Sequence, residues 1–254
     1  MSKFDNILLL TDLDGTLLYN AEMPEKNRVA IKCFTENGGI FSVATGRAPD
    51  FIKKKIPYIN APVCALNGAV IYDLKKDKVI KEYFLPKESL NAASEVSDRY
   101  KPVRINVFSL TENAFINPKP SDFDGFDKKI HKIVFIFDSE EVTMQAKEYI
   151  SENYADMGQI VRSWNTGLEI IPPGGKGECL KFIKKYTGAR VAVGAGDYEN
   201  DISLLKEADI GCAPSDANPD VTRIADFISE ACIDGAVAGI INMLDEKISK
   251  GIDI

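Results

Sequence analysis

Two aspartates stand one residue apart, Asp12 and Asp14, directly behind the apolar run of "LLLTDLDGT". Carboxylates at the end of a buried strand are costly unless something partners them. A second acidic stretch, "GDYEND", supplies Asp197 and Asp201 with Asn200 between them. Two further stretches carry other chemistry: "PGGKG" (residues 173–177) holds Lys176, and "ATGR" (residues 44–47) holds Thr45, Gly46 and Arg47. Clustered carboxylates repel one another unless a cation lies between them. Hard oxygen ligands select Mg²⁺ or Ca²⁺. A helix–loop–helix calcium loop starting at Asp12 would need glycine at its sixth position and glutamate at its twelfth. Those positions hold Leu17 and Met23, so that reading fails and Mg²⁺ is expected. A lysine beside glycines can meet a phosphate as a point charge. A threonine hydroxyl and amides at a helix start can hold a second phosphate oxygen. Acid cluster, cation and phosphate cradle together fit phosphoryl transfer, in which positioning and charge neutralisation carry most of the catalysis. A carboxylate can also serve as the nucleophile and form an aspartyl phosphate.

Each stretch alone has an ordinary explanation. An Asp-Gly pair is most often a turn. "GGK" lacks the spacing of a Walker loop, and Asn200 could cap a following helix. What gives them weight together is their placement, each where a strand should end, because ligands of open α/β sheets bind outside the carboxyl ends of the strands.

The elements that would position these residues alternate. "ILLLTD", "IFSVATG" and "APVCALNGA" read as buried strands, and "PEKNRVAIKCFTENGG" reads as a helix between the first two. Continuous apolar runs of this length are those of parallel strands covered on both faces. "AVIYDLKKDKVIKEYFL" reads as a hairpin. From Pro86 the grammar changes to a helix ("PKESLNAASEVSDRY"), strands in "VRINVFS", "NAFIN" and "HKIVFIF", a Pro/Asp/Gly-rich connection "PKPSDFDGF", a helix "SEEVTMQAKEYISENY" and a hairpin of "QIVRSW" and "GLEII". We read this as an αββαββ unit, an antiparallel sheet with helices on one face. After "PPGGKG" the helix–strand alternation returns to the end, closing with helices "NPDVTRIA" and "DGAVAGIINMLDEK". The expected fold is therefore α/β: a Rossmann-like parallel-sheet core (residues 1–85 and 168–254) interrupted by an inserted α+β cap domain (residues 86–167).

Composition narrows the partners. The 254 residues are 45% hydrophobic and 27% charged, as in a globular protein. The net charge of −7 and the lack of a basic run predict no nucleic-acid partner. No run reaches the roughly 20 apolar residues of a membrane span, so no membrane association is expected. Five scattered cysteines without a Cys-x-x-Cys pair point to free thiols in a reducing compartment, and the cytoplasm is expected. The single histidine, His131, has no Gly-x-Ser-x-Gly partner motif and is read as a cap or surface strand position rather than part of a serine hydrolase.

The ordered set "DLDGTLL", "VATGR", "LNGAVIYD", "GGKGECL", "GDYENDISLLKEAD" and "APSDANPDV…DGAV" resembles the haloacid dehalogenase superfamily of phosphatases over nearly the whole chain, in its Cof-type branch (subfamily IIB) with a minimal form of the cap. The resemblance implies roles. Asp12 would be the nucleophile. Asp14 would be the general acid and then the base, its side chain free for protons. Mg²⁺ would be held by Asp12, the Asp14 carbonyl and Asp197, with Asn200 and Asp201 in support. Thr45, Gly46 and Lys176 would bind the phosphoryl group. Arg47 and Asn67 match positions near the cap-facing mouth. In "VRINVFS", Arg104 and Asn106 share one strand face and would meet either the substrate or solvent. Trp164, at a hairpin end, is read as packing. The chain departs from the family pattern at Ser215-Asp216-Ala217, where Asp216 adds charge near the acidic cluster. The implied activity is hydrolysis of a small phosphorylated metabolite, a sugar phosphate or similar, by a monomer or small homo-oligomer. A phosphotransferase or mutase on the same scaffold, and a non-catalytic phosphate-binding regulator, are the alternatives. The late insertion of the cap disfavours the mutase, and the intact motif residues disfavour the regulator.

Overall fold

The computed structural model describes residues 2–110, the backbone of 113–116, and 128–252; the expected connection "PKPSDFDGF" lies outside them. The core sheet is built from β1 (Ile7–Thr11), β2 (Ile40–Val43), β11 (Val191–Ala195), β12 (Ile210–Pro214) and β13 (Phe227–Ser229), all parallel, in the order β13-β12-β11-β1-β2. β1 shows why these apolar runs make central strands. Its odd positions, Ile7 and Leu9, enter one core with Ile31, Phe34, Val237, Ile240 and Leu244 of helices α1 (Glu25–Glu36) and α8 (Ala236–Ser249). Its even positions, Leu8 and Leu10, enter another with Cys179, Leu180, Ile183 and Leu204 of α5 (Gly175–Thr187) and α6 (Ile202–Glu207). Both faces are covered, and each such leucine contributes about 1.5–3 kcal/mol of burial free energy.

Register then aligns the strand ends. Thr11 lies beside Ala195 on one side and Val43 on the other, so Asp12, Asp197 and Thr45 leave the sheet at one edge. The third strand, β3 (Val63–Ala65), touches this sheet through a single parallel bridge from Ala44 to Cys64. It otherwise pairs with the hairpin β4 (Val70–Asp73) and β5 (Lys78–Glu82). Two elements go beyond the sequence reading: the short helix α2 (Pro49–Lys55), which begins with Pro49 behind "TGRA", and β13.

The second sheet has five antiparallel strands in the order β7-β6-β8-β10-β9: β6 (Arg104–Phe108), β7 (Asn113–Ile116), β8 (Lys132–Ile136), β9 (Gln159–Trp164) and β10 (Gly167–Ile171). It exceeds the αββαββ shorthand by one strand, the central β8. Because Gly167–Ile171 pairs with β8 and β9, the sheet also extends past the expected boundary at residue 167. Helices α3 (Ser89–Tyr100) and α4 (Glu140–Asn153) cover one face. Ser139 caps α4 by accepting from the Val142 amide. Ile105, Val107, Ile133, Phe135, Leu168 and Ile170 point into that helical layer. The alternate positions of the same strands point at the core domain.

Candidate active site

Asp12 follows β1 and is nearly buried, its amide bonded to the Ala195 carbonyl. The chain then turns sharply. Gly15 has φ +93°, and a Cβ there would come within 2.4 Å of the Asp197 carboxylate, so only glycine lets the two loops close on each other. Lys176, in the first turn of α5, is fully buried; its Nζ donates to Asp12 Oδ1 at 2.5 Å and to Asp201 Oδ1 at 2.6 Å. The other Asp201 oxygen accepts from the amides of Asp197 and Tyr198. Asp197 accepts from the Thr16 hydroxyl at 2.8 Å. Oxygens of Asp12, Asp197 and Asp201 all lie within 4.8 Å of one another.

The electrostatics of this cluster are unbalanced. Three carboxylates face one ammonium, an excess of two negative charges. Burial pushes the Asp12 carboxyl well above its ordinary range; Lys176 opposes the shift, and Asp201 and Asp197 reinforce it. Burial, then the Asp201 charge, pushes Asp197 up to about 7. Burial works to lower the pKa of Lys176, but Asp12 and Asp201 outweigh it and hold the ammonium charged. These are the marks of a site built around a further positive charge. Two missing positive charges and an all-oxygen donor set fit a divalent hard cation. Asp216 acts as its sequence position suggests. It holds the Cys232 amide at 2.9 Å and adds to the upward shift of Asp197.

Asp14 departs from expectation. Its carboxylate is not free but takes both Arg47 Nε (2.9 Å) and Nη2 (3.0 Å), and Arg47 lies 4.8 Å over the Phe51 ring. Thr45 is buried and its hydroxyl accepts from the Arg47 amide.

A cavity of about 690 Å³ lies between this floor and the open face of the second sheet. Asp12, Asp14, Thr45, Gly46, Arg47, Asp197 and Asn200 line it from the core, and Asn106, Phe108, Lys132, Val134, Ile136 and Glu169 from the sheet. The expected sites divide here. Asn106 reaches the cavity. Arg104, on the same strand face, is exposed, does not line it, and donates to Asn106 Oδ1 at 2.8 Å. Asn67, expected near substrate, does not line the cavity. Its Nδ2 donates to Glu169 at 2.8 Å, and its Oδ1 accepts from Asn200. Asn200 therefore does not cap the following helix, and among the described residues its own Oδ1 is buried without a partner. Trp164, read as packing, lines the cavity with 39% of its surface exposed. His131, read as a cap or surface strand position, is not at the surface: it is buried beside Glu82 at 3.3 Å and against Phe84, and burial lowers its pKa.

The sequence reading missed Lys132, Glu169 and Ser163, which bridge the two sheets, and Thr16. The signal was present: one lysine in "HKIVFIF" and one glutamate in "GLEII" are single charges in strands that are otherwise apolar. Further bridges run from Glu199, beside Asn200, to Lys147 and to Arg162 (2.9 Å), and from the Tyr198 hydroxyl to Asn165 (2.5 Å).

The pattern of the haloacid dehalogenase-like hydrolases matches residues 9–241. The chain belongs to this family, in its Cof-type phosphatase branch. It is 26% identical over 278 residues to the 5-amino-6-(5-phospho-D-ribitylamino)uracil phosphatase YwtE of Bacillus subtilis, covering 92% of this chain and 96% of that one. It is 23% identical over 238 residues to YcsE of the same bacterium, which carries the same enzyme name, covering 91% and 92%. Among solved structures, a haloacid dehalogenase-like hydrolase from B. subtilis superimposes with a TM-score of 0.80 at 22% identity, over 92% of this chain and 98% of that one. A subclass IIB sugar phosphatase superimposes with a TM-score of 0.77 at 20% identity, over 93% and 98%. The fold of this Cof-type hydrolase is thus a parallel core with an antiparallel cap sheet. Among the described residues, no helix is long and apolar enough to cross a membrane.

Proposed function

We propose that this chain is a Mg²⁺-dependent phosphomonoesterase that hydrolyses a small phosphorylated metabolite through a phosphoryl group carried on Asp12. The observation that carries this reading is the buried Asp12–Lys176–Asp201–Asp197 cluster, short of two positive charges, at the floor of a capped cavity. Mg²⁺ would be held by Asp12, Asp197 and the Asp14 carbonyl, with Asp201 and Asn200 behind them, and would neutralise the charge of the phosphoryl oxygens. Lys176 opposes the upward shift of Asp12 and holds its carboxylate aimed at the phosphate site. Thr45 and the Gly46 amide bind the phosphoryl group with Lys176.

In the first step an Asp12 oxygen bonds to phosphorus, the phosphorus–oxygen bond to the leaving alcohol breaks, and Asp14 gives that oxygen a proton. In the second, Asp14 takes a proton from water. The water oxygen bonds to phosphorus, the bond to Asp12 breaks, and inorganic phosphate leaves. Arg47 must release or share the Asp14 carboxylate for these transfers. Its bidentate grip thus makes it a gate on Asp14 as well as a mouth residue.

For the substrate we propose a sugar or polyol phosphate, including one whose leaving alcohol bears a planar ring. Phe51, Phe108, Trp164 and Tyr198 give the cavity flat walls, and Asn106 and Ser163 supply polar contacts. The enzyme names of YwtE and YcsE, and of the solved sugar phosphatase, support this range. Phosphate release from p-nitrophenyl phosphate with Mg²⁺, followed by a panel of sugar, polyol and ring-bearing phosphates ranked by kcat/KM, tests the proposal. Turnover surviving Asp12→Asn would remove its basis.

A further inference from the structure

The roof of the cavity holds a second buried charge pair, and it touches the phosphate side of the floor. Lys132 and Glu169 are 4% and 2% exposed. Lys132 Nζ donates to Glu169 Oε2 and to the Gly46 carbonyl, each at 3.0 Å. Glu169 Oε2 also accepts from Asn67 Nδ2 at 2.8 Å, and Oε1 from the Ser163 hydroxyl at 2.9 Å. Asn67 closes the circuit downward. Its amide donates to the Thr45 carbonyl at 2.9 Å, and its Oδ1 accepts from Asn200. The loop of residues 44–47 is therefore gripped twice, at the Gly46 carbonyl by the cap directly and at the Thr45 carbonyl through Asn67. Little room remains, since a Cβ on Gly46 would lie 3.2 Å from Asn67 Nδ2 and 3.4 Å from Lys132 Nζ.

A buried ion pair is a poor source of stability, because desolvation consumes most of its attraction. Well-packed apolar residues in β8 and β10 would serve packing as well. What they could not do is donate to the Gly46 carbonyl. We propose that Lys132, held in place by Glu169, is a positioning residue that sets the Thr45–Gly46–Arg47 loop for the phosphoryl group when the cap is shut. This rests on the phosphatase reading above.

The decisive variant is the neutral pair Lys132→Met with Glu169→Gln, which removes the donor without stranding a charge. We expect its kcat/KM to fall about 10- to 100-fold, the scale of loss when groups that position the reacting phosphate shift by about 1 Å. The fall should lie mainly in kcat and be the same factor for p-nitrophenyl phosphate, a hexose phosphate and a ring-bearing polyol phosphate. The melting temperature should stay near wild type. Lys132→Arg, which keeps a donor, should recover most of the loss. Wild-type kcat/KM in the double variant would overturn the proposal. So would a loss confined to some esters, which would make Lys132 a reader of the leaving group. Amide hydrogen exchange of residues 45–47 in the Mg²⁺-loaded protein needs no turnover. The proposal expects faster exchange in the double variant, and unchanged exchange overturns it. A wild-type protein that hydrolyses no ester would count against the phosphatase reading, and the exchange result would still decide this one.

Discussion

The cavity has two buried charge clusters, and they differ in their sums. The floor sets three carboxylates against Lys176 and is left negative. The roof sets Glu169 against Lys132, balances, and gives the carboxylate further donors from Asn67 and Ser163. Both are dry. The unbalanced cluster displaces its pKa values upward and calls for an added cation; the balanced one is complete by itself and can only position what it touches. Net charge, rather than burial, is thus what distinguishes the two clusters.

The largest expected effect is at the floor. Asp12→Asn should lower phosphate release by about 10⁴-fold or more, as loss of a nucleophile does elsewhere, while leaving the fold intact by circular dichroism. Next come the two lysines. Lys176→Met and Lys132→Met each strand buried carboxylate charge, and each should cost about 3–5 kcal/mol in urea unfolding. Mg²⁺ should restore part of the loss for Lys176→Met and none for Lys132→Met. Equal rescue of both would erase the distinction between floor and roof.

The contrast was only half legible in sequence, for physical reasons. Asp12, Asp14, Asp197 and Lys176 announce themselves because acids and a lysine beside glycines at strand ends have few structural uses. Lys132 and Glu169 do not, since a single charge inside a strand reads equally as a solvated edge. Their meeting depends on two sheets facing each other. The Arg47–Asp14 pair joins positions 33 apart and follows only from the adjacency of β1 and β2. The parallel core was readable because its apolar runs are continuous. The helix α2 and strand β13 were not, being seven and three residues long among polar neighbours.

A smaller effect concerns pH. Asp197 is pushed up to about 7, mainly by burial, and Asp12 is raised in the same way. The folded, metal-free protein therefore holds protons that the unfolded chain would release. That contribution is present below the ordinary carboxylate range, near pH 4, and is lost as pH rises through about 7. A cation binds only the deprotonated pair, so the rise in melting temperature on adding Mg²⁺ should grow from pH 5.5 to pH 8. A shift that shrinks with pH would contradict the unbalanced floor. The smallest effect is at the half-exposed mouth. Arg47→Ala should change stability by less than about 1 kcal/mol in urea unfolding while changing kcat through the freed Asp14.

The central claim is that the phosphoryl group passes through Asp12. The enzyme can be quenched in acid during turnover with Mg²⁺ and substrate, reduced with borohydride, and digested for mass spectrometry. An acyl phosphate at residue 12 is reduced to homoserine there, and that mass change at position 12, absent without substrate, is the predicted result. Continued turnover with position 12 unmodified, or modification at another carboxylate, would contradict the account.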